Sequence, residues 1–369
     1  MTDFSTLLYE VALSRVRGIR FSVIQHLMRC FGNAEDIFKA SSARLLRVAD
    51  VGPATVQAIL SFHDFDAIVK ECEILQQKQV RILFFTHPDY PRRLLQCADA
   101  PPLLYYKGNA SLNHERMLAV VGSRKATDYG REWTRQLVSD LQGAGVIVVS
   151  GLATGIDAAA HQAALDNDLP TIGVMAHGFN RIYPPWHKPM AEKMISQGGL
   201  LTEYGLHEEF APYNFPARNR IVAGLCDAIV VTETGIKGGA MITCHLAGSY
   251  HRDVFALPGR VQDPLAAGCH QLIKTHQAAL VETATDLLQA MGWEQRNEPV
   301  RVVQQRLPLD LNDEQQAIYN LLAGGEMHID ELLLRSGQTP GQCSSVLLQM
   351  EMNGYIASLP GKRYQRRQT

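Results

Sequence analysis

Gly122-Ser123-Arg124 follows the apolar run Met117–Val121 and precedes a helix-like stretch over 128–143. A strand that ends in a small, flexible turn and opens a helix presents free backbone N–H groups and the positive end of a helix dipole, which attract phosphate. Arg124 adds a planar fork of donors matched to phosphate oxygens. Taken singly, such a turn serves equally well as a plain strand-to-helix connection with a surface arginine. Here it has company. Ser150-Gly151-Leu152-Ala153-Thr154-Gly155-Ile156-Asp157 follows an apolar run at 146–149, and Glu233-Thr234-Gly235-Ile236-Lys237-Gly238-Gly239-Ala240 follows one at 228–232. Pro258-Gly259-Arg260 follows a third at 254–257. In a parallel sheet these turns share one edge, where such folds bind ligands, and small residues there let an extended ligand approach the backbone. With Arg124, Lys237 and Arg260 on that edge, the pattern predicts a groove for an anionic ligand.

Two further segments add to it. Arg218-Asn219-Arg220 opens a helix after Asn214-Phe215-Pro216-Ala217, and two arginines flanking an asparagine at a helix start suit phosphates. Phe215 reads better as a plug of that helix against the sheet than as a base platform. Tyr183-Pro184, after an apolar run at 171–175, brings an aromatic ring to the same edge. Rings beside cations are the usual equipment for single-stranded nucleic acid. Other chemistries lack their residues. No G-x-G-x-x-G follows the first strand, and no G-x-x-x-x-G-K-[ST], G-x-S-x-G or H-E-x-x-H occurs, so no dinucleotide, ATP, hydrolase or zinc site is expected. His245 and His251, six apart, do not share a helix face and are not expected as metal ligands.

The elements that must position these turns alternate. Apolar runs at 117–121, 146–149, 171–175, 200–202, 228–232 and 254–257 are separated by helical patterns at 128–143, 156–166, 189–197, 218–225 and 240–250. Alternating β and α units predict a mostly parallel, doubly wound sheet covered on both faces, which also explains why its strands are continuously apolar. Before it, Tyr90-Pro91 and Pro101-Pro102 flank short apolar runs and read as an arm entering the sheet. The 46% hydrophobic content, 20% charged content and 369 residues fit a folded chain of two or three domains. No run of about 18 apolar residues occurs, so no membrane association is expected. Seven scattered cysteines, odd in number and without C-x-x-C, point to reduced thiols in a cytoplasm. A net charge of −2 does not advertise a nucleic-acid binder, so that claim rests on particular arginines and lysines.

Four divisions follow: a helical domain over 1–80, the α/β domain over 81–293, a polar linker over 294–308 and a small domain over 309–369. Val16–Leu27 and Ala49–Leu60 look alike, and both approach the h-G-h-G hairpin of helix-hairpin-helix or SAM-like modules. Each lacks one glycine, with Arg20 and Asp50 in its place, and Asp50 would repel phosphate, so a packing module is the preferred reading. The last domain reads as three helices (314–322, 329–336, 342–353) and a hairpin (354–364), the order of a winged helix. Its third helix carries no lysine or arginine, which leaves a DNA reader and a protein-interaction module both open.

These motifs resemble one family, the DprA/Smf DNA-processing proteins of bacteria. The match runs through V-G-S-R (Val121 to Arg124), Tyr129-Gly130, S-G-x-A-x-G-I-D-x-x-A-H (Ser150 to His161), Tyr183-Pro184 and Thr202-Glu203-Tyr204. It continues through F-P-x-R-N-R-I from Phe215, G-G-A-M-I-T from Gly238, V-F-A-L-P-G from Val254 and G-C-H-Q-L-I from Gly268. The resemblance implies an extended Rossmann-like domain without a cofactor. It also implies a homodimer that binds single-stranded DNA and helps to load RecA recombinase in natural transformation. By motif, the DNA-binding residues would be Gly122, Ser123, Arg124, Ser150, Gly151, Tyr183, Arg218, Asn219, Arg220, Lys237, Gly238 and Gly239. There are departures. Pro185 and His187 stand where the family often has a basic residue and an asparagine, leaving Lys188 as the basic candidate. Ala176-His177-Gly178 replaces G-x-G. Gly238-Gly239-Ala240 replaces Ser-Gly-Ser, leaving backbone N–H groups and Lys237. The main alternative is a nucleotide N-glycosidase of the LOG type. It would need P-G-G-x-G-T-x-x-E, whereas here Glu233 precedes the glycines and no G-T-x-x-E follows. A third reading, a winged-helix regulator with a ligand-sensing core, conflicts with the uncharged third helix.

Overall fold

The computed structural model describes residues 4–294 and 311–367, so all of the expected linker but Glu294 lies outside the described residues. The chain divides into two compact units, 1–295 and 296–369. Among the described residues, a nine-stranded sheet organises the first unit. Its strands are β1 (Arg81–Phe84), β2 (Leu103–Gly108), β3 (Met117–Val121), β4 (Ile147–Ser150), β5 (Thr171–Val174), β6 (Gly198–Thr202), β7 (Ala228–Val231), β8 (Asp253–Ala256) and β9 (Ala279–Leu280). Their order is β1-β2-β6-β5-β4-β3-β7-β8-β9. From β6 through β9 all pairings are parallel, while β2 runs antiparallel to β6 and β1 to β2.

β3 and β7 are apolar throughout, as is β4 up to Ser150, because successive side chains enter different cores. Met117, Ala119 and Val121 join Ile147, Val149, Ile229 and Val231 on one face. Leu118 and Val120 join Val148, Ala228 and Val230 on the other. Helices Asn214–Leu225 and Gly239–Ser249 close the first face through Ile221, Leu225, Met241 and Cys244. Helices Asp128–Asp140 and Ile156–Asp166 close the second through Leu137, Val138, Ile156 and Ala160. Burying one such valine or leucine contributes about 1.5–3 kcal/mol, which makes the sheet a stiff platform for its connecting turns.

After β3 the chain builds outward through β4, β5 and β6, then crosses back to place β7 on the other side of β3. Connections leaving β3 and β7 therefore diverge, and a crevice opens beyond their carboxyl ends. The expected arm is the antiparallel pair β1 and β2, with Pro91, Pro101 and Pro102 outside the strands, where a missing N–H does no harm.

Among the described residues, six helices precede β1, from Phe4–Arg15 to Phe65–Gln77. Their core is shared with Phe84, Leu103, Tyr105 and Leu206. Arg15 stitches it together, donating to Glu71 Oε1 at 2.7 Å and to the Tyr105 hydroxyl at 3.0 Å. The two similar hairpin-like segments bury Val16, Ile24, Val51 and Ile59 in that core, and His26 of the first lies 3.3 Å from Asp50 of the second.

In the second unit, helices Asp313–Leu321, Ile329–Ser336 and Pro340–Met352 surround Ile318, Leu332, Val346 and Met350. Strands Ile356–Leu359 and Arg363–Arg366 form the wing, and Met327–His328 adds a third strand beside Arg363–Arg366. Two wing cations have local partners. Arg363 pairs with Glu326 at 2.6 Å, and Arg366 sits 4.0 Å from the centroid of the Tyr319 ring.

Candidate nucleic-acid interface

The crevice holds a cleft of about 520 Å³ lined by Gly122, Ser123 and Arg124, by Gly151, by Arg218 and Asn219, and by Gly238 and Gly239. The first three turns are locked together. Ser123 N–H donates to the Glu233 carbonyl at 2.7 Å, and the Ser123 carbonyl accepts from Ile156 N–H at 3.2 Å. Gly155 has φ +82°, and a Cβ there would stand 2.1 Å from the Ser123 carbonyl oxygen. A Cβ on Gly122 would meet the Ile156 side chain at 2.5 Å. These two glycines are thus required by close approach of backbone to backbone and of helix to strand. Arg124 leaves the joined turns exposed, its guanidinium 5.1 Å from the centroid of the Phe215 ring. Helix Gly239–Ser249 begins at the cleft with Gly238 as its N-cap and no side-chain cap, so its dipole and first N–H groups face the same space.

Arg218 is different in kind. It is only 3% exposed, and its Nη1 donates to the carbonyls of Gly151 and Val174. A Cβ on Gly151 would strike this guanidinium at 2.5 Å. Burial pulls the Arg218 pKa down to about 10, against the pull of nearby Asp157, so it stays cationic at neutral pH. Burial likewise raises the Asp157 pKa, opposed by Arg218 and by the N–H groups of Gly151 and Ala153 at 3.2 and 3.3 Å. Arg218 therefore ties the ends of β4 and β5 together, and Asp157, which lines the same cleft, offsets its charge.

A second cavity of about 240 Å³ continues from Arg124 and Phe215 past His177 to Tyr183 and Trp186. Tyr183 is 44% exposed and lies 5.7 Å, centroid to centroid, from Phe215; Trp186 is 70% exposed. The cleft and this cavity together lead from the exposed Arg124 to accessible rings.

Four expected residues stand elsewhere. Arg220 forms a two-pronged ion pair with Glu203 at 2.8 and 2.5 Å and lines a separate cavity with Arg20 and Asp99. Residues two apart on a helix point to different faces, so Arg218 and Arg220 do not converge. Ser150 is fully buried, its hydroxyl donating to the Val120 carbonyl at 2.6 Å. Lys188 lies 4.0 Å from Glu192 and lines a third, smaller groove. Lys237 is exposed in the turn between Gly235 and Gly238, both of which line the cleft, but does not line it itself. Two contributors escaped the sequence reading, Lys125 and Trp186. Lys125 is exposed beside Arg124 in the first turn, where adjacency was its signal. Trp186 follows Tyr183-Pro184-Pro185.

The acidic residue that opens the third turn is already engaged. Glu233 is 4% exposed and accepts from Thr127 N–H at 2.9 Å and from the Thr127 hydroxyl, at the start of helix Asp128–Asp140. Gly130 makes room, since a Cβ there would be 2.4 Å from the Glu233 carboxyl carbon.

Comparisons with known proteins agree with this geometry. The family model for DNA recombination-mediator protein A matches residues 81–292, and that for the DprA winged helix domain matches 303–362. Protein Smf of Synechocystis sp. is 32% identical over 97% of this chain and 98% of its own. The X-ray structure of DNA processing protein A from Streptococcus pneumoniae superposes with a TM-score of 0.66 at 34% identity, covering 76% of this chain and 97% of that one. A Helicobacter pylori structure, described as giving insights into the unique single-stranded DNA binding mode of its DNA processing protein A, superposes with a TM-score of 0.53. It is 27% identical and covers 58% of this chain and 95% of that one. The mostly parallel sheet with its glycine turns, and the winged helix that follows it, make this chain a member of the DNA recombination-mediator protein A family.

Proposed function

We propose that this protein binds single-stranded DNA in the cleft at the carboxyl ends of β3 and β7, and that it does so as a cytoplasmic homodimer that helps to load RecA recombinase. The observation that carries the reading is Arg124, exposed between two glycine turns and packed on Phe215, with an uncapped helix N-terminus across the cleft. Phosphates take the N–H groups and Arg124, while unpaired bases take the rings of Tyr183 and Trp186. A duplex keeps its base faces stacked inside and cannot use those rings. The single-stranded DNA named for the Helicobacter pylori relative supports the same ligand here. An N-glycosidase needs a glutamate free to reach the cleft, and Glu233 is held by Thr127.

A gel shift with oligo-dT and with duplex of equal length tests this. Oligo-dT is expected to bind more tightly, and raised salt to weaken it with a slope of about −0.7 per phosphate contacted. Equal binding of duplex and single strand would defeat the selectivity. Release of ribose 5-phosphate from nucleoside monophosphates would favour the N-glycosidase instead. RecA loading is read by strand exchange with and without the protein, and dimerisation by its mass in solution.

A further inference from the structure

A third groove, of about 150 Å³, shares no lining residue with the cleft or with the ring-lined cavity. Its apolar walls come from separate segments: Val80 before β1, Ile182 from the loop after β5, Ile195 from helix Lys188–Gln197 and Leu200 from β6. Lys78, Lys107 and Lys188 line it too, with Glu192 as the acidic member. Glu192 lies 4.0 Å from Lys188, and among the described residues neither Lys78 nor Lys107 has an ion-pair partner. Apolar walls with surplus positive charge call for an occupant that is apolar at one point and acidic around it.

Size narrows the class. Small-molecule sites usually span about 300–1,000 Å³, well above this groove. A nucleotide would bring sugar and phosphate with every base, whereas a peptide can insert one side chain and leave its charged neighbours outside. We infer that the groove docks an acidic peptide segment of a partner protein. One large apolar side chain would sit between Ile182, Ile195 and Leu200, with flanking carboxylates against Lys78 and Lys107. The loop that supplies Ile182 to this groove supplies His177 and Tyr183 to the ring-lined cavity, so the docked partner would sit beside the proposed DNA path.

The test uses the full chain and a fluorescein-labelled peptide, Asp-Glu-Asp-Leu-Phe, followed by anisotropy. Binding should weaken about tenfold or more in the double variant Lys78→Glu, Lys107→Glu, and similarly in Ile195→Asp. It should vanish when the peptide's Leu-Phe is replaced by Ser-Ser. In the lysine variant the melting temperature should stay near that of the parent, which reports that the variant is folded, and oligo-dT affinity should stay near the parent's as well. The inference is overturned if the parent does not bind the peptide, or if the Ser-Ser peptide binds as well. It is equally overturned if the protein variants bind like the parent. Loss of oligo-dT binding in the folded lysine variant would assign the groove to nucleic acid and end the peptide proposal, while leaving the cleft itself intact.

Discussion

Arg124 and Arg220 are both arginines of family-like motifs, yet their surroundings give them opposite tasks. Arg124 is exposed, with a ring beneath it and no acidic partner among the described residues, so its hydrogen-bonding capacity is open to a ligand. Arg124→Ala should cost about 1.5 kcal/mol of oligo-dT binding, roughly tenfold, and make the salt slope shallower by about 0.7, with little change in melting temperature. Arg220 is spent on Glu203, whose side chain is 17% exposed. Arg220→Ala should therefore destabilise the fold by about 2 kcal/mol, somewhat less than for a fully buried pair, and leave the salt slope unchanged. Thermal melts beside salt titrations separate the two. A shallower slope in the Arg220 variant would place it on the DNA after all. Spacing alone did not reveal this difference, because the partner that decides it, Glu203, comes from the segment after β6 and meets the helix only in three dimensions.

The decisive feature at the scale of elements is how tightly the turns are stacked. Gly155 must accept a positive φ and a carbonyl at its Cα, so Gly155→Ala should destabilise the protein by about 2–4 kcal/mol and displace the Ser123 turn. Chemical denaturation and oligo-dT binding should both suffer, and a variant that melts like the parent would contradict this packing. Glycine-rich turns were readable because few other residues tolerate such contacts. The parallel strands were readable because double-sided burial makes them unbroken apolar runs. β9 was not, since its two residues, Ala279 and Leu280, are exposed and carry no such signature. The run of β2 was visible, but its antiparallel place beside β6 depends on pairing that no local pattern encodes.

Across the whole molecule, buried ionisable groups set an acid and an alkaline side to stability. Burial holds His161 down to about 3, with neighbouring His187 and Arg218 acting the same way, so the native state keeps it neutral. Its contribution is complete above its unfolded pKa near 6.5 and is lost as pH falls toward 3. Burial pushes Glu10 up to about 7, against a hydrogen bond from the Thr86 side chain. Its contribution is present below about 4.5 and lost as pH rises through 7. Glu10→Gln should thus stabilise the protein by about 2 kcal/mol at pH 8 and hardly at all at pH 4, as read by denaturant midpoints. The division at Gln295 and Arg296 predicts two calorimetric transitions, and removing 296–369 should leave the larger one in place. A single transition that disappears with the truncation would refute independent folding. The sequence by itself determined the doubly wound core, the edge where its turns gather and the order of the winged helix, because periodicity and glycine demand are local properties of the chain. Only the tertiary structure decided which cations are open to a ligand. Whether an arginine meets a phosphate, a carbonyl or a carboxylate depends on segments far apart in the chain, and burial, not residue type, settles which of them it reaches.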